Sequence, residues 1–401
     1  MKSIYFDLSI PKFLLTRMLG TVWNGVYYSS ISPVSFGDLK EGALPGPRWI
    51  RVKNILCGIC GTDLSVFFLE LNPKISLAAL PGLSRVFLGH EICGEVVDVG
   101  PEVTRRRLGD RVVLQRSLPC CFAKEIEPHC QQCQQGNYGL CENQSEGPFP
   151  SNTGGGWSEL FLAHESQLVP VPDEIGNEEA VLIEPAAVAL HAILRKEPQV
   201  NDKVLIVGAG IIGLLILHTI KQLQPGCQVS VIARHNYQQE MAKELKADRI
   251  LSEKDLYKQI ATITNAHLYK GKFRNQMLLG GFDKIYDCVG KAHSIHNVLR
   301  WCKAGGTVLL MGVDLNPSKF DYTPLVFQEA ELIGCFGHGM ETYDGERIST
   351  FDLVIRLMKE KRLNLNNLVT HRFRLRDYRK ALEVVTNKRN SHVIKAVFEF
   401  D

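Results

Sequence analysis

Two short stretches set metal-binding side chains on glycine turns. Residues 57–65 read CGICGTDLS, and residues 87–96 read FLGHEICGEV. Cys60 lies at the first turn, and His90 follows Gly89 in the second. Thiolate and imidazole are both zinc ligands, and a catalytic zinc site takes a few protein ligands while keeping one position open. Glu184, in VLIEPAAVALHA, is the expected third ligand. It stands just upstream of a strand, glycine turn and helix, where a cleft between two domains is expected to hold ligands. Cys60 alone would read as a small buried hydrophobe. The ordered set of three points instead to a catalytic metal. Cys57 pairs with Cys60 as C-x-x-C, the spacing of a redox dithiol. Cys57 falls in a strand, however, and is expected to be packed, as are Cys93, Cys227, Cys288, Cys302 and Cys335.

A second group of donors has another character. Residues 120–143 read CCFAKEIEPHCQQCQQGNYGLCEN. Cys130 and Cys133 form a C-x-x-C, Cys141 follows, and Cys120 or Cys121 completes four thiolates. Four thiolates leave no position for water, so this site is expected to be structural. Binding would staple a polar loop that has little core of its own. His129 is the substitute ligand to weigh.

A third stretch is suited to phosphate. Gly208, Gly210 and Gly213 form G-x-G-x-x-G, with Ala209, Ile211 and Ile212 between them, directly after KVLIV and before LLILHTI. A strand before and a helix after are the context in which these glycines cradle a dinucleotide pyrophosphate. The second strand ends Ile232-Ala233-Arg234-His235, with no carboxylate for ribose hydroxyls. Arg234 suits a 2′-phosphate, so NADP is expected over NAD.

These groups need scaffolding. From about Trp49 to Val171 short strands alternate with Gly and Pro turns, as in a β-rich domain. From about Asn201 strands alternate with helices, which implies a parallel sheet covered on both faces. After Gly337 one helix and a last strand, VIKAVFEF, are left to return to the first domain. The 401 residues suffice for two domains. The twelve cysteines include five between Cys120 and Cys141. Asp7, Ser9, Pro11 and Lys12 interrupt any signal-peptide core. A cytoplasmic protein is therefore expected, and its clustered cysteines read as metal ligands before disulfides. A net charge of +3 gives no reason to expect a nucleic-acid or membrane partner.

Taken in order, GICGTD, GHEICGEVVDVG, GDRVV, CQQCQQGNYGLCEN, EPAAVALHA and VLIVGAGIIG make a pattern. The chain resembles the zinc-containing medium-chain dehydrogenases, on their threonine, polyol and sugar dehydrogenase side, from about Trp49 onward. The resemblance implies a GroES-like β-rich catalytic domain (1–185, completed by 338–401) and a Rossmann domain (186–337). It implies one catalytic zinc on Cys60 and His90, with Glu184 where polyol-type members carry Glu. Glu91 matches an acidic neighbour that approaches the shifting metal, and Thr62 a hydroxyl that passes on the alcohol proton. Cys130, Cys133 and Cys141 match three ligands of one structural zinc. Cys120 best keeps the family's spacing from Asp110 as the fourth. Two departures stand out: Ser65 occupies the place of a relay histidine, and 266–280 is longer than usual.

The expected activity is zinc-dependent hydride transfer between a small alcohol or carbonyl substrate and NAD(P), in a homo-dimer or homo-tetramer. The rival readings are a zinc-independent NADPH reductase on the same fold and a non-catalytic NADP(H)-binding sensor.

Overall fold

The computed structural model describes all residues except 73–84, 116–119, 147–149 and 151. The chain divides into two compact units. One comprises Met1–Glu184, His338–Lys359 and Leu365–Asp401; the other comprises Pro185–Gly337 and Glu360–Asn364.

The first unit is built on a seven-stranded sheet. Its path runs Val369–Arg374, Lys395–Glu399, Trp49–Gly58, Ile92–Val99, Arg111–Leu114 and Leu168–Pro170, with Leu160–His164 also pairing to Trp49–Gly58. Every pairing is antiparallel except the one between the first two strands of this path. The strand Trp49–Gly58 lies at the centre, and Ile50, Val52, Leu56 and Cys57 are buried along it. Its register against Ile92–Val99 shifts between Asn54 and Leu56. Such an irregularity bends a strand and re-aims the residues beyond it, here those leading to Cys60. A smaller sheet joins Val34–Asp38, Lys2–Asp7 and Arg85–Phe87. Between its first two strands runs a helix, Ile10–Gly20.

The second unit holds a six-stranded parallel sheet. Numbered within the unit, its strands lie in the order 3-2-1-4-5-6: Arg249–Leu251, Gln228–Ile232, Lys203–Val207, Phe282–Asp287, Cys302–Leu310 and Glu331–Gly334. This is the doubly wound order of dinucleotide-binding folds. Val204, Leu205, Ile206 and Val207 are all buried, as a strand covered on both faces requires. The expected fold, a β-rich domain with a Rossmann-type sheet, is borne out. The long segment 266–280 is an antiparallel hairpin, His267–Lys270 with Gln276–Leu279, inserted between the third and fourth strands. Only its inner side chain Leu278 joins the core around Phe282 and Val298 fully.

Candidate metal centres and dinucleotide loop

The strand Trp49–Gly58 delivers the chain to Cys60, the N-cap of the helix Gly61–Phe67. Asp63 stands three residues later, at the spacing from which an acidic side chain reaches back to a cap. It accepts from the Cys60 N–H at 3.4 Å and from the Gly89 N–H at 2.9 Å. The same carboxylate lies 3.4 Å from Nδ1 of His90. This leaves Nε2 of His90 as the nitrogen that could hold a metal. A carboxylate behind a metal-binding histidine fixes its tautomer and orientation. Burial opposes charge on the His90 ring, but Asp63 and Cys60 outweigh it and hold the imidazole well above its usual pKa.

The donor atoms of Cys60, His90 and Glu91 lie within 4.8 Å of one another. Glu91 is buried and ion-paired with Lys395, which is equally buried. Lys395 also donates to the Ile59 carbonyl at 3.3 Å. Burial disfavours charge on Lys395, yet Glu91 and Cys60 raise its pKa overall. Breaking such a buried pair by removing one partner costs about 3–5 kcal/mol. The close approach depends on Gly58, where a Cβ would stand 1.8 Å from Oε2 of Glu91.

Glu184 is not among the three donors within 4.8 Å of one another; the carboxylate there is Glu91, the acidic neighbour expected beside the metal. Glu184 opens the helix Ile183–Arg195 and faces the same charges. Burial pushes its carboxyl up to about 7; His90 and Lys395 pull it down, while Glu91 and Asp63 push it further up. Thr62 is exposed, and its hydroxyl donates to Sγ of Cys60 at 3.2 Å. Cys57 is fully buried, and burial drives its thiol pKa well up, as an inert packed thiol requires. One thiolate, one imidazole and one carboxylate, the last with a fixed counter-charge, suit a zinc ion that keeps an open position.

The sequence reading missed Asp63 and Lys395. The spacing of Asp63 from Cys60 was the available signal for the first. For the second it was a lysine opening the apolar run Ala396–Phe398.

The second cluster gathers the thiols of Cys121, Cys130, Cys133 and Cys141 within 4.8 Å of one another. Cys121 and Cys141 are 3.7 Å apart, and Cys130 and Cys141 4.0 Å. All four are free thiols. Their sulfurs already accept N–H donors: the Cys121 sulfur accepts from the Cys130 N–H and the Cys130 sulfur from the Cys133 N–H, each at 3.4 Å. Burial opposes ionisation of Cys130, but the N–H groups of Cys133 and Glu142 bring its pKa down to about 7. Cys121, not Cys120, is the fourth member. Cys120 is the buried N-cap of the short helix Cys121–Lys124, and the following turn brings Cys121 to the other thiols. His129 is also outside the group, its ring tilted against Phe122 and its Nε2 3.0 Å from Glu127. Four sulfurs and no oxygen donor match a closed tetrahedral zinc site.

In the second unit the glycine loop follows the strand Lys203–Val207. Gly208 has φ +97°, a conformation that favours glycine. A Cβ at Gly213 would meet the Gly208 carbonyl at 1.9 Å, so helix and turn pack too closely for any side chain. A Cβ at Gly210 would meet nothing within 4 Å. That open side, at the N-cap of the helix Ile211–Leu223, is where backbone approaches a pyrophosphate. Ala209 between them is buried, while Ile211 and Ile212 are half-buried. Arg234 lies exposed just past the second strand, 3.9 Å from Glu253.

Residues 46–173 match the family model for the alcohol dehydrogenase GroES-like domain, and residues 212–360 that for zinc-binding dehydrogenase. The chain is 27% identical to D-arabitol-phosphate dehydrogenase of Enterococcus avium, over 84% of this chain and 86% of that one. It is also 27% identical to L-threonine 3-dehydrogenase of Pyrococcus abyssi, over 87% and 91%. Among solved structures, 2R,3R-butanediol dehydrogenase from Bacillus subtilis superposes with a TM-score of 0.72 at 25% identity, covering 92% of this chain and 96% of that one. With both units matched in order and the cysteine, histidine and glycine motifs in place, the chain belongs to the zinc-type medium-chain dehydrogenase/reductase family.

Proposed function

We propose that this protein oxidises a secondary alcohol of a polyol-like substrate, reversibly, with zinc at Cys60, His90 and Glu91 and NADP as hydride acceptor. The observation that carries this reading is the convergence of those three donors within 4.8 Å, with Asp63 behind His90. The relatives named for arabitol phosphate, sorbitol and threonine support an alcohol substrate flanked by polar groups. Bound zinc supplies Lewis acidity that lowers the pKa of an alcohol.

The protein's own groups do the rest. Asp63 holds the His90 ring in one orientation, and Lys395 keeps the Glu91 carboxylate balanced in a buried setting. Thr62 presents an exposed hydroxyl beside Cys60, suited to take the substrate hydroxyl proton and hand it to solvent. Ser65, one helical turn on, cannot titrate as a relay histidine would, so the proton leaves through hydroxyls. Glu184, buried beside the charges of His90, Glu91 and Lys395, adds a further carboxyl to this setting. The Gly210 backbone and its helix N-terminus receive pyrophosphate. Arg234 pairs with a 2′-phosphate, where no carboxylate stands to reject it.

A panel of polyols, polyol phosphates, threonine and simple secondary alcohols, run with NAD and NADP on zinc-replete enzyme, tests the reading. Turnover with at least one of them, lost on chelation, is the expected result. Full activity on carbonyl substrates without zinc would overturn it in favour of a zinc-independent reductase. Arg234→Asp should shift the NADP/NAD preference in kcat/KM toward NAD by about tenfold to a hundredfold.

A further inference from the structure

The helix Ile10–Gly20 precedes the region matched by either family model and takes no part in the metal centres. It is held to the first unit by one side. Phe13 and Thr16 are buried, and the Thr16 hydroxyl donates to the Ile31 carbonyl at 3.1 Å. The loop that follows is anchored by aromatic contacts, Tyr27 on Phe68 and Tyr28 on Phe67.

The opposite side is apolar and exposed. Ile10, Leu14, Leu15, Met18 and Val22 range from 42% (Leu15) to 85% (Val22) exposed. At about 100° per residue, Ile10, Leu14, Met18 and Leu15 fill an arc of about 140°. Arg17 borders one edge of this arc, one guanidinium nitrogen donating to the Leu71 carbonyl at 3.1 Å, and Lys12 borders the other; both are exposed. Between Asp7 and Asp38 the sequence holds these two cations and no carboxylate. Trp23, 51% exposed, lies just past the helix.

We infer that this face docks on an anionic bilayer surface, the helix lying in the interface plane. An exposed apolar arc with a cation on each border is the arrangement by which interfacial helices bury one face among acyl chains while lysine and arginine reach the headgroups. Tryptophan at the end of such a helix suits the interface as well. Charge selects the occupant. Two copies of the chain paired on this face would set Lys12 and Arg17 of each against the same cations, with no acid in the segment to offset them. An anionic surface complements them. Among the described residues no helix is long and apolar enough to cross a membrane, so the association is peripheral. The small net charge of the chain conceals this local imbalance.

The test uses the full-length, zinc-loaded protein. It is sedimented with phosphatidylglycerol–phosphatidylcholine vesicles and with phosphatidylcholine vesicles alone. Binding to the first, weakened by salt and stronger than to the second, is expected. Trp23 supplies an optical readout, because Trp49, Trp157 and Trp301 are buried. Its emission should move to shorter wavelength on anionic vesicles and fail to move in Trp23→Phe. Leu14→Asp with Met18→Asp should weaken partitioning by about tenfold or more, and Lys12→Glu by about fivefold. All these side chains are exposed, so thermal stability should hold. Absence of binding to anionic vesicles, equal binding to neutral ones, or binding unaffected by Leu14→Asp/Met18→Asp overturns the inference. So does a dimer that this double variant dissociates without any vesicle binding, which would give the face to a second copy.

Discussion

The two candidate metal clusters of the first unit differ in almost every physical respect. Around Cys60 the donors are of three kinds, one of them is neutralised by a buried lysine, and a further carboxyl waits nearby. Around Cys121 the donors are four thiols closing on one another, supported by backbone N–H groups. The first arrangement sets a carboxylate, its buried lysine partner and a second buried carboxyl side by side. The second is saturated. A chain that must both react and stay folded separates the two tasks, placing polar reserve where chemistry happens and chemical uniformity where a loop needs a staple.

The sharpest way to break this contrast is to remove a donor from each cluster. Cys60→Ala should lower kcat/KM by about a thousandfold or more, the several kcal/mol expected of a Lewis acid. Metal analysis should show one zinc lost and the four-cysteine zinc kept. Unchanged turnover with both metals in place would dissolve the distinction. Cys133→Ser should act in the opposite sense. It should cost several kcal/mol of stability, visible as a lower Tm and as proteolysis within 120–143, while the folded fraction keeps most of its specific activity.

Two smaller effects sharpen the reactive side. Asp63→Asn should reduce zinc affinity or activity by about tenfold to a hundredfold, measured by competition with a chelator. Asp63→Glu should recover part of it. The Glu184 carboxyl, held near 7 in the fold, is ionised at a lower pH once the chain unfolds. Its contribution to stability is therefore present at low pH and is lost as pH rises through about 7. In chelated protein, Glu184→Gln should flatten the decline in Tm between about pH 4.5 and 7 that this group causes. An unaltered slope would mean that its carboxyl is not held in that environment.

The parts legible from sequence are those in which one residue type has few uses. Glycines 208, 210 and 213 between a strand and a helix, and clustered cysteines in a polar loop, gave the Rossmann-type sheet and three of the four thiols. Choices between neighbours were not legible. Cys120 and Cys121 differ only in which one the next turn of chain carries inward, and spacing counts do not see a turn. Glu184 is the expected third ligand from its place just upstream of the glycine turn and from the resemblance to polyol-type members, whereas Glu91 reads only as an acidic neighbour of the metal. In the fold His90 and Glu91 both stand just before the strand Ile92–Val99, and their donor atoms converge with that of Cys60. Lys395 acts across the sheet, through a pairing between distant strands that no local pattern announces. The helix Ile10–Gly20 escaped notice because its apolar residues run around most of the cylinder, blurring the one-sided periodicity that marks a surface helix.

The counter-charge of the metal cluster also carries a consequence in time. Lys395 sits 336 residues beyond Ile59, whose carbonyl it holds, and Glu91 comes early in the chain. At ribosomal speeds this separation amounts to roughly 15 to 70 s of synthesis. For most of that interval Cys60, His90 and Glu91 have been made but the lysine that balances them has not. The nascent domain must keep its carboxylate in water, and its central strand beside an unfilled edge, until the last strand arrives. Assembly of this centre thus waits on a residue made long after its donors, whereas the four-cysteine cluster is complete within 21 residues, from Cys121 to Cys141.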